Sequence, residues 1–424
     1  MPETERDARD TSDEAADRHR PLSGLRVLDM SRVLAGPWSG QMLADLGAEV
    51  IKVERPESGD DTRAWGPPFL KDRAGVETRE AAYYLSANRG KKSITLDIAR
   101  PAGQAICREL AQVSDVLLEN YKVGDLKRYG LAYEDLTPAN PRLVYCSITG
   151  FGQTGPNRDR AGYDFMIQGM GGLMSITGER DDAPGGGPQK VGVAIADLMT
   201  GMYASVAVLA ALHERAASGR GQYIDMALLD TQVAWLANQN GNYLIGGEPP
   251  RRMGNAHPNV VPYQTFRTRD GDVILAIGND TQFARFCAGA NLPQLASDTR
   301  FTTNSARITN RDALIPVIAQ RMREQTTAEW MALLEPLGIP CGPINRLDQV
   351  YADPQVQHRG LRIEVPHPLA GTVPLVANPI KFSRTPLTYE VPPPLLGEHT
   401  GEILGDLLGK SESEIAQLRA DRVI

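Results

Sequence analysis

Leu25-Arg26-Val27-Leu28-Asp29-Met30, then Ala35-Gly36-Pro37, then Ala48-Glu49-Val50-Ile51-Lys52-Val53-Glu54 decide the fold. The outer two are short apolar runs of strand character. Between them the pattern predicts a helix from Trp38 to Leu46: Pro37 is preset for a first turn, and Gly47 is a C-terminal stop. Strand, helix and strand within about thirty residues make a βαβ unit.

The pattern continues outward. Strands are expected over 92–97, 116–120 and 142–149, separated by a helix opened by Pro101 and by short helical segments near Leu126 and over 133–136. The Gly-, Asp- and Pro-rich stretch from Arg55 to Glu77 reads as a loop. Strands alternating with helices predict an α/β fold with a parallel sheet covered on both faces. Ligands bind such sheets at the carboxyl ends of the strands. No GxGxxG follows the first strand and no Walker motif exists, so a plain dinucleotide or ATP site is not indicated. Gly185-Gly186-Gly187 reads as a turn.

Further on, the uncharged run 191–196 ends in Asp197, and a helical pattern follows to about His213. Asp197 reads as the helix N-cap. Two roles are open to it. It is a cap alone, or it is a nucleophile kept ionised by the positive helix end, its free pKa being about 3.9. A strand over 223–226 and one helix from Leu228 to about Tyr243 come next. After Pro249-Pro250 the composition shifts. Residues 250–340 read as a smaller α+β unit, with strands at 263–268 and 273–277 and helices from Gln282, Arg311 and Thr327.

Composition narrows the function. The 424 residues carry a formal net charge of −7, which argues against a general nucleic-acid binder. The four cysteines are scattered, without the spacing of a metal site, and fit a reducing, cytoplasmic compartment. No run reaches the roughly 18 apolar residues of a membrane span. Residues 1–20 lack an apolar signal core and read as a disordered tail. No GxSxG elbow accompanies the histidines, so a hydrolase triad is unsupported. Lys52, Arg55, Arg89, Lys91, Lys92 and Arg128 cluster at expected strand ends. They suit a ligand with several phosphates, or else form a solvated face. Asn120-Tyr121 adds an amide and a flat ring where an adenine could rest.

These residues resemble the class III coenzyme A transferases, from about Pro21 to Ile424. The blocks are Arg32-Val33-Leu34-Ala35-Gly36-Pro37, 48–55, 88–93, Glu119-Asn120-Tyr121, 150–156, Ala161-Gly162-Tyr163-Asp164, Ala196-Asp197, 219–222, 338–343 and 395–400. The resemblance implies two chains interlaced as a homodimer. It divides each into a large Rossmann-like domain (21–214), a linker (215–249), a small domain (250–340) and a return linker that completes the large domain (341–424). It implies that Asp197 is the catalytic aspartate, and that Arg32, Val33, Arg55, Lys92, Asn120, Tyr121 and Arg128 line the coenzyme A site. Thr149 stands where some relatives have a CoA-contacting lysine. The expected substrates are an acyl-CoA and a carboxylic acid, with no bound cofactor, metal, nucleic acid or membrane.

The same fold hosts 2-methylacyl-CoA racemases, whose histidine falls at Tyr163, and formyl-CoA:oxalate transferases, whose glutamine falls at Leu34 and whose glycine lid falls at 253–263. The dicarboxylate branch, which moves CoA from succinyl-CoA to glutarate or hydroxymethylglutarate, matches better: it shares Gly59-Asp60-Asp61-Thr62-Arg63, Trp65-Gly66-Pro67-Pro68 and 242–246. Two roles are open to Arg63 and His257: partners of the acceptor's distal carboxylate, or structural residues.

Overall fold

The computed structural model describes residues 20–424; the tail expected over 1–20 lies outside them, Arg20 excepted. The chain forms two compact units. The first holds the residues up to Gly172, Gly192–Ala237 and Gln355–Ile424, and the second holds Leu173–Val191 and Asn238–Pro354.

Six short segments build the sheet of the first unit: β1 (Arg26–Asp29), β2 (Glu49–Glu54), β3 (Lys91–Thr95), β4 (Val116–Glu119), β5 (Val144–Thr149) and β6 (Tyr223–Ala227). They lie in the order β3-β2-β1-β4-β5-β6, and every pairing is parallel. Winding runs outward from β1 in one direction and then, from β4, in the other. That reversal opens a crevice at the carboxyl ends of β1 and β4.

Period-2 alternation sorts the strand residues onto two faces. Val27, Val50, Val116, Leu118 and Val144 pack with Leu43 of helix α1 (Ala35–Asp45). Leu28, Ile51, Ile94, Leu117 and Tyr145 pack with Ile106 and Leu110 of α2 (Pro101–Gln112) and with Ile403, Leu404 and Ile415. Both faces are covered, so β1 and β4 are buried at nearly every position, and the charged Lys52 and Lys91 are buried in β2 and β3. Each buried Leu or Ile contributes about 1.5–3 kcal/mol. Gly47 stops α1 as expected, with φ +106.

Several expectations need correction. The stretch 55–77 is not a plain loop: it carries the 3-10 turn Asp61–Ala64 and the strand Phe69–Lys71, which pairs with Glu77–Ala81. After α3 (Asp164–Met170) comes α4, which spans Ile195–Ser218 and so begins before Asp197. By length and mean hydropathy alone α4 could cross a membrane. Instead its small residues let it lie close to α1. A Cβ on Gly201 would stand 2.5 Å from the Ala35 carbonyl oxygen, and the Ser39 and Ser205 hydroxyls meet at 3.0 Å. Residues 215–249 are not a simple linker, because they hold β6, the last strand of the sheet, and helix α5 (Leu228–Ala234). The long helix expected after Leu228 breaks before Ala237, whose φ is +44.

The second unit has a three-stranded antiparallel sheet, in the order Cys341–Pro343, Asp272–Ala276, Tyr263–Arg267. Helices Asp280–Gly289, Arg311–Met322 and Thr327–Leu334 supply its core, around Phe283, Phe286, Leu314, Ile318 and Trp330. Leu173–Val191 belongs to this unit and not to the large domain expected over 21–214.

Candidate active site

The site begins with the loop after β1. Val33 sits at φ +70, a strained place for a β-branched residue. Its neighbours over-determine it. Asn120 accepts from the Arg32 amide at 2.8 Å and donates to the Arg32 carbonyl at 2.7 Å. Asp60 accepts from the Val33 amide at 3.2 Å and from the Thr62 amide at 3.0 Å. Under the loop, Lys52 lies 2.9 Å from Asp60 and donates to the Ser31 carbonyl at 2.9 Å. Lys91 reaches Asp29 at 2.9 Å, and the Ser31 hydroxyl donates to the same carboxylate. Burial works against the charge of Asp60, but Lys52 and the Thr62 donors outweigh it and lower its pKa to about 2.

Asp197 lies in the first turn of α4, not at its cap. The cap residue is Ala194, with no side-chain bond of its own. Asp164, at the start of α3, takes the capping role by accepting from the Ala196 amide at 2.8 Å. The Ile195 amide bonds to Val193 and the Leu198 amide to Ala194, which leaves the Asp197 amide without an acceptor among the described residues. The expectation of a permanently ionised Asp197 also fails. Burial and then the Asp164 charge raise its pKa to about 7. Tyr83 lies within electrostatic reach of the same group. Burial raises its phenol, and the charges of Asp197, Asp164 and Asp60 add to that. Trp65 meets Tyr83 edge-on, with centroids 5.1 Å apart. In the sequence Trp65 stands out only within the block Trp65-Gly66-Pro67-Pro68, and Tyr83 not at all, since its helix, Ala82–Ser86, is too short to show a period.

Asp197 is open to a chamber of about 220 Å³ with Arg32, Val33, Asn120, Thr149, Arg160 and Tyr163 in its walls. A larger cavity of about 600 Å³ adjoins it and includes Arg55, Leu96 and Tyr129. Arg32, Asp61, Tyr121 and Asp125 line both, and the Arg32 guanidinium pairs with Asp61 at 3.1 Å. Five of the expected site residues, Arg32, Val33, Arg55, Asn120 and Tyr121, therefore gather around one cleft with Asp197. Arg128 is exposed beside it, paired with Asp125 at 2.7 Å.

Asn120 reaches the cleft already engaged, and Lys92 and Arg63 are taken up by ion pairs. Asn120 spends its amide on the Arg32 backbone, so it holds the loop and does not offer a free edge to adenine. Lys92 lines neither cavity; it bridges Glu49 at 2.9 Å and Glu402 at 2.7 Å. Arg63 is 8% exposed and has no donor left for an acceptor acid. It donates to Glu54 at 2.7 and 2.8 Å, to Glu80 at 3.1 Å, to the Tyr84 hydroxyl at 2.6 Å and to the Pro394 carbonyl at 3.0 Å. His257 belongs to the second unit, where its Nδ1 accepts from the Asn259 amide at 3.0 Å. Among the described residues, no group of three His, Cys, Asp or Glu side chains is placed to hold a metal ion.

Comparison with known proteins supplies the family. Residues 22–400 match the CoA-transferase family III. A succinate–glutarate CoA-transferase of Agrobacterium fabrum is 53% identical over 390 residues, covering 92% of this chain and 96% of the relative. The succinyl-CoA:glutarate CoA-transferase of Homo sapiens is 45% identical over 405 residues, covering 96% and 90%. The crystal structure of a CAIB/BAIF family protein from Brucella suis superposes with a TM-score of 0.81 at 50% identity, covering 92% and 99%. This chain belongs to CoA-transferase family III.

Proposed function

We propose that the chain moves coenzyme A from succinyl-CoA to glutarate, with Asp197 as the covalent nucleophile. The observation that carries this reading is the half-buried Asp197 carboxyl, open to a chamber that adjoins a larger, arginine-lined cavity. The relatives named for the succinyl-CoA and glutarate pair support the choice of substrates. A tyrosine, Tyr163, stands where the racemase reading needs a histidine, and its phenol is a poor base at neutral pH.

The ionised Asp197 attacks the succinyl thioester carbon; the C–S bond breaks and the CoA thiolate leaves a succinyl–aspartyl anhydride. The thiolate attacks the aspartyl carbonyl, releasing succinate and forming an aspartyl-CoA thioester. A glutarate carboxylate then attacks that carbonyl and expels the thiolate. The thiolate attacks the glutaryl carbonyl, which yields glutaryl-CoA and frees Asp197. Each step exchanges one acyl bond for another of similar energy. The free Asp197 amide is a donor suited to the oxyanions that form on the way. Incubation with succinyl-CoA followed by hydroxylamine should convert Asp197 to its hydroxamate, read by peptide mass spectrometry. An enzyme that turns over with Asp197 unmodified would overturn the mechanism.

The functional form we propose is an interlaced homodimer. Large apolar side chains stand exposed on each unit taken singly: Tyr203 and Val206 of α4 in the first, and Leu244 and Ile245, 78% and 91% exposed, in the second. Side chains of this kind are expected to be covered in a stable assembly. Light scattering should give twice the 46.1 kDa chain mass. Tagged and untagged dimers, once mixed, should form no hybrids until they are unfolded. A monomer, or hybrids formed under native conditions, would sink the arrangement.

A further inference from the structure

The C-terminal helix Glu412–Ala420 ends in Asp421, and Arg422 follows at φ +53. That is the left-handed position after a helix, where glycine is the unstrained choice. The tail beyond it is pinned on both sides. Val423 is buried in the core, and its carbonyl accepts from the Asp97 amide at 2.7 Å, just past β3. An arginine kept at a strained, tightly held position calls for a reason.

The larger cavity supplies one. Arg422 is in its wall. Most of the cavity's charges are already matched: Lys52 with Asp60 at 2.9 Å, Arg32 with Asp61 at 3.1 Å, Arg100 with Asp97 at 3.2 Å. Glu54 is held by Arg63 and Asp125 by Arg128. Two guanidinium groups remain, those of Arg55 and Arg422, with no hydrogen-bond or ion-pair partner among the described residues. The one carboxylate left over is Glu57. Arg422 lines only the larger cavity and is not part of the wall it shares with the Asp197 chamber, which Arg32, Asp61, Tyr121 and Asp125 form. A thioester whose carbonyl meets Asp197 would thread its arm past that wall and leave its nucleotide end in the larger cavity.

We propose that Arg422 binds the 3′-phosphate at the nucleotide end of the acyl-CoA substrate. The inference rests on the CoA-transfer reading above. A phosphate monoester presents three acceptor oxygens to a forked donor, and the unpaired guanidinium is pre-placed for them. The test uses Arg422→Gly, which removes the donor and relieves the positive φ, so folding is not put at risk. Steady-state KM is measured for succinyl-CoA and for succinyl-dephospho-CoA, which lacks only the 3′-phosphate. The variant is expected to raise the KM for succinyl-CoA about tenfold and to leave that for the dephospho substrate where wild type has it. An equal rise for both substrates, or a rise for neither, would overturn the assignment. Absence of transfer by the wild-type enzyme would instead overturn the functional reading itself, so the two failures are distinguishable.

Discussion

Asp197→Asn is expected to lose CoA transfer by about 10⁴-fold or more and yet to melt higher than wild type at pH 8. The loss follows from removing the group that carries the acyl bond. The gain follows from the same group's surroundings. The carboxyl titrates at 3.8 in the unfolded chain, whereas burial first and Asp164 second bring it to about 7 in the fold. Because the folded value is the higher one, folding favours the protonated form. Below pH 3.8 both states are protonated and the group costs nothing. The penalty grows as pH rises from 3.8 to about 7, and above that it is complete at about 4 kcal/mol. The side-chain amide of the variant carries no charge and escapes it. Calorimetry should show a gain of a few degrees at pH 8 that fades toward pH 4. The wild-type kcat/KM for succinyl-CoA should climb about tenfold per pH unit and level off near 7, since the free enzyme must ionise before it attacks. Retained turnover in the variant would remove Asp197 from the mechanism; a melting gain independent of pH would instead overturn its raised pKa.

This penalty also shows what a sequence can and cannot carry. The β1-α1-β2 unit is legible because its signals are local: apolar runs of fixed period, Pro37 at a first turn, Gly47 at φ +106. Asp197 is harder. Ile195 and Ala196 suit the end of a strand as well as the start of a helix, so the pattern places the helix start at the first carboxylate. The residue that caps that helix, Asp164, is 32 positions before the Ala196 amide it holds, and no spacing rule links the two. Arg63 misleads for a related reason. It sits in a stretch rich in Gly, Asp and Pro, which reads as exposed, but Glu54, Glu80 and Tyr84 draw it inside. Lys52 and Lys91 read as phosphate ligands or as part of a solvated face, and instead both are fully buried against aspartates. Residue type announces the charge correctly each time. Only the three-dimensional pairing decides whether that charge faces a ligand or holds the frame beneath one.

Asp60→Ala is expected to cost about 3–5 kcal/mol of stability and to weaken acyl-CoA binding at the same time. The side chains of Lys52 and Asp60 are both 0% exposed. Without Asp60, the Lys52 ammonium keeps the Ser31 carbonyl and the more distant Asp29, which Lys91 already occupies. A buried cation short of its partner accounts for the large figure. The pH dependence has a definite sign. Asp60 titrates at about 2 in the fold against 3.8 unfolded, so its contribution is present above 3.8 and is lost as pH falls through about 2. The gap in stability between wild type and variant should therefore narrow below about pH 4. The binding defect has a separate origin. Asp60 holds the amide of Val33, and a β-branched residue at φ +70 will relax toward negative φ once that acceptor is gone. Asp60→Asn separates the two effects, because it keeps an acceptor for Val33 and Thr62 while placing a neutral group against Lys52. It should be destabilised like the alanine variant but hold a KM for succinyl-CoA close to wild type. If both variants raise KM equally, the Val33 loop is held by the charge of the pair and not by the hydrogen bond.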